Sequence, residues 1–598
     1  MADSQDKIVP INYTNREFNS IRRDLMDIAR RHYPENFQDF SEASFGSLML
    51  DAVAYVGDQL SFYLDYSVNE SFLDTAYSIK NILRHGKILG YNSPGRPSTY
   101  GKVALYVEVP AESSGLGPDS NYIPILNRGT TFQASSGLNF VLTENIDFNS
   151  PKNPIIVSKV SDATGAPTHY AIKSYGNVVS GKFGTTRIKV NEYQKFKKIK
   201  LPIKNLSEII SVFDDQGNEF FEVQHLSQDL IYREIPNDNY KNDNVPSIMK
   251  PLLVSRKFMI IRERSGVFMQ FGSGNAAESN VIASPQDLAM DIFGKDYITD
   301  TSFDPTKLSK NINYGIVPSD TTLTVFYRTT NPANSNVSAG GVNKVGSVFM
   351  EFKDLTNLAT SKTKTVEQSI EVTNESPIVG SVSMPGSDEI KRRIFDTFPT
   401  QDRAVTQADY ENLAYRMPGK FGAIKRVSVQ KDPDSIKRNL NMYVISEDKF
   451  GKLIKANTVI KNNLKTWINH YRMINDTVDI IDPYIINIGI EFVVKVIRQN
   501  DKNLALDAAI TALNSVYSQG FFIGEHLEIT DIYSILKSVG AILDVLSVRV
   551  VNKVGSQYSN VQFSVDKNLS PEGGRLICPR NAIFEIKFSD VDIKGKVR

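Results

Sequence analysis

Apolar and polar positions along the chain fall into three successive rhythms. Over residues 1–98 the apolar positions recur at helical spacing. Thr14 and Glu17 form a capping box ahead of Phe18, Ile21, Leu25 and Ile28, which share one helix face, and His32-Tyr-Pro34 closes that helix. A second helix is predicted from about Phe45 to Ser71. A third runs from about Thr75 to Lys87, with Ile79, Ile82 and Leu83 inward and Gly90 as its stop. The second helix is anomalous, because Phe45, Leu48, Met49, Leu50, Val53, Tyr55, Val56, Leu60, Phe62, Tyr63 and Leu64 run almost all the way round it. A helix apolar on every side is buried on every side. Three helices are too few to surround it, so either the middle of this chain or another chain must cover it. Leu48, Met49, Val56, Leu60 and Phe62 are therefore the candidate partner interface.

Residues 99–385 change to a period of two. Val103, Leu105, Val107 and Val109 alternate as in a strand, and further short strands are predicted at Phe140–Leu142, Thr186–Val190, Ile209–Phe213 and Thr322–Tyr327. Turn pairs lie between them, such as Ser136-Gly137, Gln216-Gly217, Asn331-Pro332 and Gly340-Gly341. Segment 283–320, with Pro285, Asp291, Asp296 and Pro305, breaks the rhythm as an inserted loop. Residues 386–598 mix both periods. Thr406 and Asp409 cap a helix through Tyr410, Leu413 and Ala414 that Pro418 ends, and strands follow at Ile424–Val429 and Leu440–Ile445. Leu453, Ala456, Ile460, Leu464, Trp467 and Tyr471 mark a long amphipathic helix. Ile486, Ile488, Ile490, Phe492, Val494 and Val496 alternate as one strand, and Leu506, Ile510, Leu513 and Tyr517 mark a helix ending near Gly520. A short helix from Thr530 to Val539 then leads through Gly540 into a strand with Leu546, Val548 and Val550. The expected fold is multidomain α+β: an N-terminal helical bundle segment (1–98), a β-rich middle domain (99–385) and a C-terminal α/β domain (386–598).

Composition narrows the function classes. The chain has 598 residues, beyond the ~250–300 at which single cores stop growing, so several domains are expected. Lys and Arg number 68 against 67 for Asp and Glu, which leaves no global field for nucleic acid or an anionic membrane. Weak affinity for duplex DNA follows as an expectation. The one basic run, Lys195, Lys197, Lys198 and Lys200, also reads as a solvated strand face. The lone Cys578 excludes an internal disulfide and a multi-cysteine metal site. No apolar run approaches the ~18 residues of a membrane span, and Met1–Pro10 lacks the apolar stretch of a signal peptide.

Candidate chemistry is sparse. His32, His85, His169, His225, His470 and His526 are scattered, with none of the close spacings that metal ligands use, so no metal or cofactor is expected. Glu525-His526-Leu-Glu528 is the only acid–histidine cluster, and it follows Gly524 as a turn would. Gly272-Ser-Gly274 lacks the following Lys-Ser/Thr pair and helix of a phosphate loop, and reads as a tight β-turn. Asp214-Asp215 and Asp432/Asp434 sit in turn contexts that offer no cleft for acid–base work. No catalytic residue is assigned.

Segment 38–97, from Gln38-Asp-Phe-Ser-Glu-Ala-Ser-Phe-Gly-Ser-Leu48 through Leu89-Gly-Tyr-Asn-Ser-Pro94, resembles the N-terminal helices of baseplate wedge subunits of contractile-tailed phages, relatives of the baseplate J family. Phe268-Met-Gln-Phe-Gly-Ser-Gly274 resembles that family's F-G-x-G turn, through Phe271, Gly272 and Gly274. Arg403-Ala-Val-Thr-Gln-Ala-Asp-Tyr410 with Phe421-Gly422 resembles its R-A-V-T-x-x-D-Y helix start, through Arg403, Thr406, Asp409, Tyr410 and Gly422. Leu527–Val550 resembles its terminal helix–Gly–strand unit, while residues 150–260 and 283–320 match no family pattern. The resemblance implies a non-enzymatic structural protein of the virion tail baseplate, assembled in the bacterial host cytoplasm. It implies an inner-ring wedge in which two copies join a third, different protein through N-terminal helices. A sheath-initiator-like protein docks on that bundle, the C-terminal domain links neighbouring wedges, and the ring rearranges on contraction. The competing readings are a tail-fibre or receptor-binding protein, which should show repeats or heptads, and a tail-associated cell-wall hydrolase, which should show a catalytic constellation. An intracellular scaffold unrelated to phages is the third.

Overall fold

The computed structural model describes residues 17–33, 35, 41, 44–92, 94–95, 97–112, 116–228, 230–236, 247–263, 266–275, 314–330, 335–353, 358–435, 439–497, 502–518, 520–555 and 557–598. Thr14 of the expected first cap, Met1–Pro10, Pro34, the Asn331-Pro332 turn and all but the last residues of the 283–320 insertion lie outside the described residues. The architecture is an N-terminal helical segment, a β-rich middle and an α/β C-terminal part. By compactness the chain divides into two units: Met1–Asn92 with Pro385–Phe398, and Ser93–Met384 with Pro399–Arg598.

The first unit contains α1 (Phe18–His32), α2 (Phe45–Glu70), α3 (Ile79–Ile88) and most of the helix Ser387–Thr400. Ser44 caps α2 by accepting from the N–H of Ser47 at 3.1 Å. A small core forms from Ala76, Ile82, Tyr91, Ile390 and Ile394. Ile79, expected inward, is 41% exposed. Ile82 is in the core and Leu83 packs against it, as expected, and the bare Gly86 lies under Ile394 one turn further on. That helix was not anticipated. Its four apolar side chains split between an inward pair, Ile390 and Ile394, and an outward pair, Phe395 and Phe398, which blurs any single stripe.

The second unit begins with a seven-stranded sheet in which Tyr100–Pro110 pairs antiparallel with Pro167–Ser180 along its whole length. Val103, Leu105, Val107 and Val109 all point into the core, as their alternation predicts. The helix Thr360–Gln368 lies on this sheet through Val366, its one buried large apolar residue, which is why its sequence gave no helical stripe. A second seven-stranded sheet carries Lys182–Val190, Thr321–Thr329 and Leu206–Phe213 side by side, and continues through Lys257–Glu263 and Gly266–Phe271.

Residues 399–598 contribute two four-stranded sheets. In the first, Asn439–Glu447 is central, flanked by Arg426–Lys431 and Thr477–Ile481. In the second, Tyr484–Val496 is central, antiparallel to Ile542–Asn552 on one side and parallel to Ala582–Glu585 and Ile593–Val597 on the other. Its Ile486, Ile488, Ile490, Phe492, Val494 and Val496 are all buried, and the helices Lys502–Tyr517 and Ile529–Ser538 supply the facing Leu513, Ile532 and Leu536. One expected helix is shorter than its pattern. Leu453–Lys455 is a strand paired with Asn439–Glu447, and the helix is Thr458–Asn469, capped by the Asn457 side chain accepting from the N–H of Ile460 at 3.0 Å. Leu453 falls on the helical period by coincidence, and its N–H is held by the Glu585 carboxylate at 2.8 Å.

Cys578 is buried and free, and burial pushes its thiol up to about 12. With no internal bridge to break, reductant is expected to leave the melting temperature of the purified chain unchanged in a thermal scan. A clear drop would mean that Cys578 links two chains.

Candidate functional site

The surface of α2 is organised against the usual logic of an amphipathic helix. Its less exposed positions, Ser47, Leu50, Ala54, Gly57, Asp58, Ser61 and Asp65, form a mostly small and polar line, and α1 touches that side at Ser47, Asp51 and Gly57. Ser47 and Ala54 are fully buried, and the Ile21 side chain packs over Gly57, 3.4 Å from where a Cβ would sit. Arg22 of α1 forms an ion pair with Asp51 and donates to the Ser47 hydroxyl at 3.4 Å. The apolar face points the other way. Leu48 is 61% exposed, Met49 49%, Val56 55%, Leu60 58% and Phe62 64%. Phe45, Val53, Tyr55, Tyr63, Leu64 and Tyr66 are exposed with them.

This face resolves into two adjacent lines at coiled-coil spacing. One runs through Leu48, Ala52, Tyr55, Gln59, Phe62 and Tyr66, and the other through Met49, Val53, Val56, Leu60 and Tyr63. Each keeps the alternating four- and three-residue steps of a heptad seam, and a helix with two such seams accepts a helix on each. The five candidate interface residues fall on these two lines. Phe62 stacks on Tyr66 with ring centroids 6.3 Å apart.

The end of α2 is fixed by a residue that sequence reading passed over. Glu70 accepts from the N–H groups of Tyr77 and Ser78, both at 2.9 Å, and from the Asn81 amide at 2.7 Å. It thereby serves as the N-terminal cap of α3, which Ser78 itself does not cap through its side chain. Asn81 and these backbone donors hold its carboxyl below the usual carboxylate range. Its partners lie seven to eleven residues further on, a spacing that no local capping pattern in the sequence signals.

Residues 17–88 match the family model of the bacteriophage baseplate protein N-terminal domain. The match covers α1, α2 and α3 and stops before the first strand. Two solved structures were also found similar to this chain. One is the anti-feeding prophage baseplate, at 10% identity over 96% of this chain and 90% of that one, with a TM-score of 0.25. The other is the type VI secretion system TssK-TssF-TssG baseplate subcomplex, at 8% identity over 73% of this chain and 96% of that one, with a TM-score of 0.23. Superpositions this loose establish no shared fold. No curated protein matches the chain.

Outside the baseplate-like segment, the remaining singled-out residues have structural places. Phe271 is fully buried against Phe220 and Phe258. Gly272-Ser-Gly274 runs beside residues 314–317 in a parallel bridge, where a tight β-turn was expected. The Gly274 N–H donates to the Gly315 carbonyl at 2.9 Å, and a Cβ at Gly272 would lie 2.1 Å from the Tyr314 carbonyl oxygen. Gly272→Ala is therefore expected to destabilise the chain by roughly 1–3 kcal/mol in chemical denaturation, as overpacking does. Gly540→Ala, with nothing within 4 Å, should stay within about 0.5 kcal/mol.

Thr406 and Asp409 form the expected capping box. Thr406 accepts from the Asp409 N–H at 3.2 Å, and Asp409 accepts from the Thr406 N–H at 2.8 Å. Tyr410, in the helix Gln407–Tyr415, is buried and donates to Asp476 at 2.8 Å, so burial and that carboxylate push its phenol well up. Arg403 is exposed, and Gly422 takes a φ of 101° beside the Ser98 carbonyl.

The candidate chemical groups are also engaged structurally. His526 accepts from the Cys578 N–H at 3.0 Å, and Glu528 pairs with Arg575. Asp214 accepts from the N–H groups of Gln216 and Asn218 within its turn. Lys198 and Lys200 are exposed on the strand Lys198–Leu201 with Ile199 between them facing in, and Lys197 donates to the Asn191 carbonyl at 2.8 Å. Among the described residues no three metal-capable side chains come together, and no helix is long and apolar enough to cross a membrane.

Proposed function

We propose that this chain is a structural wedge subunit in the inner ring of a contractile-tail baseplate, working by association and catalysing nothing. The observation that carries the reading is the inverted packing of α2. Its small and polar line is spent on α1, while the two apolar seams stay exposed. Fully burying one Leu, Met or Phe side chain is worth roughly 1.5–3 kcal/mol, and an exposed apolar surface of this extent marks an association site. Two seams suit two further helices, which agrees with a bundle of two copies of this chain and one different wedge protein. The family match at residues 17–88 supports the coarser part of this reading, a baseplate structural protein. On this reading a sheath-initiating protein docks on the bundle, the C-terminal domain (386–598) links neighbouring wedges, and the ring rearranges when the tail contracts.

Co-expression with the neighbouring genes of its genome, followed by negative-stain imaging, tests the proposal. The expected result is a multi-chain wedge in which the amides of Phe45–Glu70 exchange more slowly than in the isolated chain. A chain that stays monomeric beside those partners, with unchanged exchange in α2, would overturn it. Fibrous particles would favour the tail-fibre reading.

A further inference from the structure

The chain passes between its two compact units three times, at residues 92/93, 384/385 and 398/399. Segments joining such units are ordinarily exposed, polar and mobile. On the side of the second unit, the first two are the reverse. Ser98 and Thr99 have no exposure at all. The Ser98 N–H donates to the Gly419 carbonyl at 2.8 Å, and its hydroxyl lies 2.8 Å from that of Ser207. Thr99 donates through its N–H to the Ser180 hydroxyl at 3.0 Å and through its own hydroxyl to the Ser335 carbonyl at 3.2 Å.

Arg328 holds this segment from below. It is fully buried, pairs with Glu208 at 2.7 Å, and donates to the Ser98 hydroxyl at 3.1 Å and the Ser180 carbonyl at 2.7 Å. The second segment, 379–383, lies against the first, through the Tyr100 N–H donating to the Val379 carbonyl at 2.9 Å. Gly380, at a φ of 129°, comes so near that a Cβ there would sit 2.8 Å from the Ser98 carbonyl oxygen. Asn336 then brackets Ser381, donating to its carbonyl at 2.7 Å and accepting from its N–H at 3.0 Å, and also donates to the Glu447 carbonyl at 2.7 Å. The buried Glu447 carboxylate accepts from the Ser383 N–H at 3.1 Å and hydroxyl at 2.9 Å, and pairs with Lys425 at 2.9 Å.

Buried charges are costly unless fully paired, and an apolar filling would supply comparable stability. What a satisfied polar network adds is rigidity and a single arrangement of the backbones it joins. We infer that Arg328, Asn336 and Glu447 form a buried clasp that immobilises the two chain segments entering and leaving the helical unit. The two segments then keep one fixed arrangement against the sheets of the second unit. The inference rests on these contacts and holds whatever assembly the helices join.

Hydrogen exchange on the full chain tests it, read by mass spectrometry in peptides covering residues 97–101 and 379–384. In Arg328→Lys, which keeps the charge and loses the fork, protection in 97–101 is expected to fall at least tenfold. In Asn336→Asp the same loss is expected in 379–384. In both, the strands at Val103–Val107 and Leu323–Val325 should keep their protection. Unchanged protection in both peptides would overturn the clasp, and so would a uniform loss across the second unit in both variants, which would make the network only a source of stability. Should Arg328→Lys fail to fold, Asn336→Asp decides alone by the same criteria.

Discussion

A chain carrying Met49→Ser and Leu60→Ser is expected to unfold within about 1 kcal/mol of the unsubstituted chain and to disappear from wedge complexes. Both side chains lie on the same seam of α2 and are about half exposed, so the isolated chain loses little when they are shortened. Exposed substitutions usually stay within roughly 0.5 kcal/mol each. In a bundle, the same two side chains would be fully covered. Association covers only the exposed half of each, so losing both weakens it by half of roughly 1.5–3 kcal/mol per side chain, about 1.5–3 kcal/mol in all. Since 1.4 kcal/mol is tenfold, affinity should fall by about ten- to a hundredfold, read by co-purification with the co-expressed partners. The opposing account is that the rest of this chain covers the seam. It requires the pattern of core truncation, a loss of roughly 2–5 kcal/mol in the isolated chain and poor expression. A destabilised monomer that still assembles would sink the partner reading.

The reach of sequence reasoning can be judged on the same helix. That α2 carries more apolar surface than three helices can cover is legible from Phe45 to Leu64 alone. Which side faces α1 is not, because the deciding residues are small: Ser47, Ala54 and Gly57 carry no hydrophobic signal, yet they let two helices approach. Elsewhere, period-two patterns were read well where the alternate apolar residues of a strand are all buried, as in Tyr484–Val496. They failed where a strand buries nothing. Ile155–Val160 is exposed along its whole length and gives alternation no reason to appear. Helix limits failed at Leu453, where a strand residue happened to keep the helical step. The capping box of Thr406 and Asp409 was legible because its chemistry is local. The Arg328 and Glu447 network was not, since Ser98, Ser180, Glu208 and Arg328 come together only through the fold. For the same reason Gly272 was taken as a turn residue, when its need for a bare backbone comes from Tyr314, more than forty residues away.

Phe492→Ala should produce the largest loss of stability of any single change considered, about 3–5 kcal/mol, the usual range for removing a buried aromatic ring. Phe492 is 1% exposed at the middle of the strand Tyr484–Val496, which is paired on both sides. Across the parallel pair it stands opposite Gly595, and a Cβ at that glycine would lie 2.4 Å from the ring, so the aromatic side chain occupies the space that Gly595 leaves empty. The neighbouring Leu506 side chain closes the same space from the helix Lys502–Tyr517. Truncation to Ala thus opens a cavity whose walls are sheet backbone and a helix packed on it, neither of which can collapse far. The loss should appear in denaturant as a lower midpoint for the transition that exposes the C-terminal core, with exchange protection falling in Tyr484–Val496 and Ile593–Val597. Protection in α2 of the isolated chain should stay the same, because its seams are exposed before and after the change. If α2 instead lost protection in step with Tyr484–Val496, the helical unit and the C-terminal core would unfold as one cooperative body, and the separation of association from stability drawn by the two substitutions would fail.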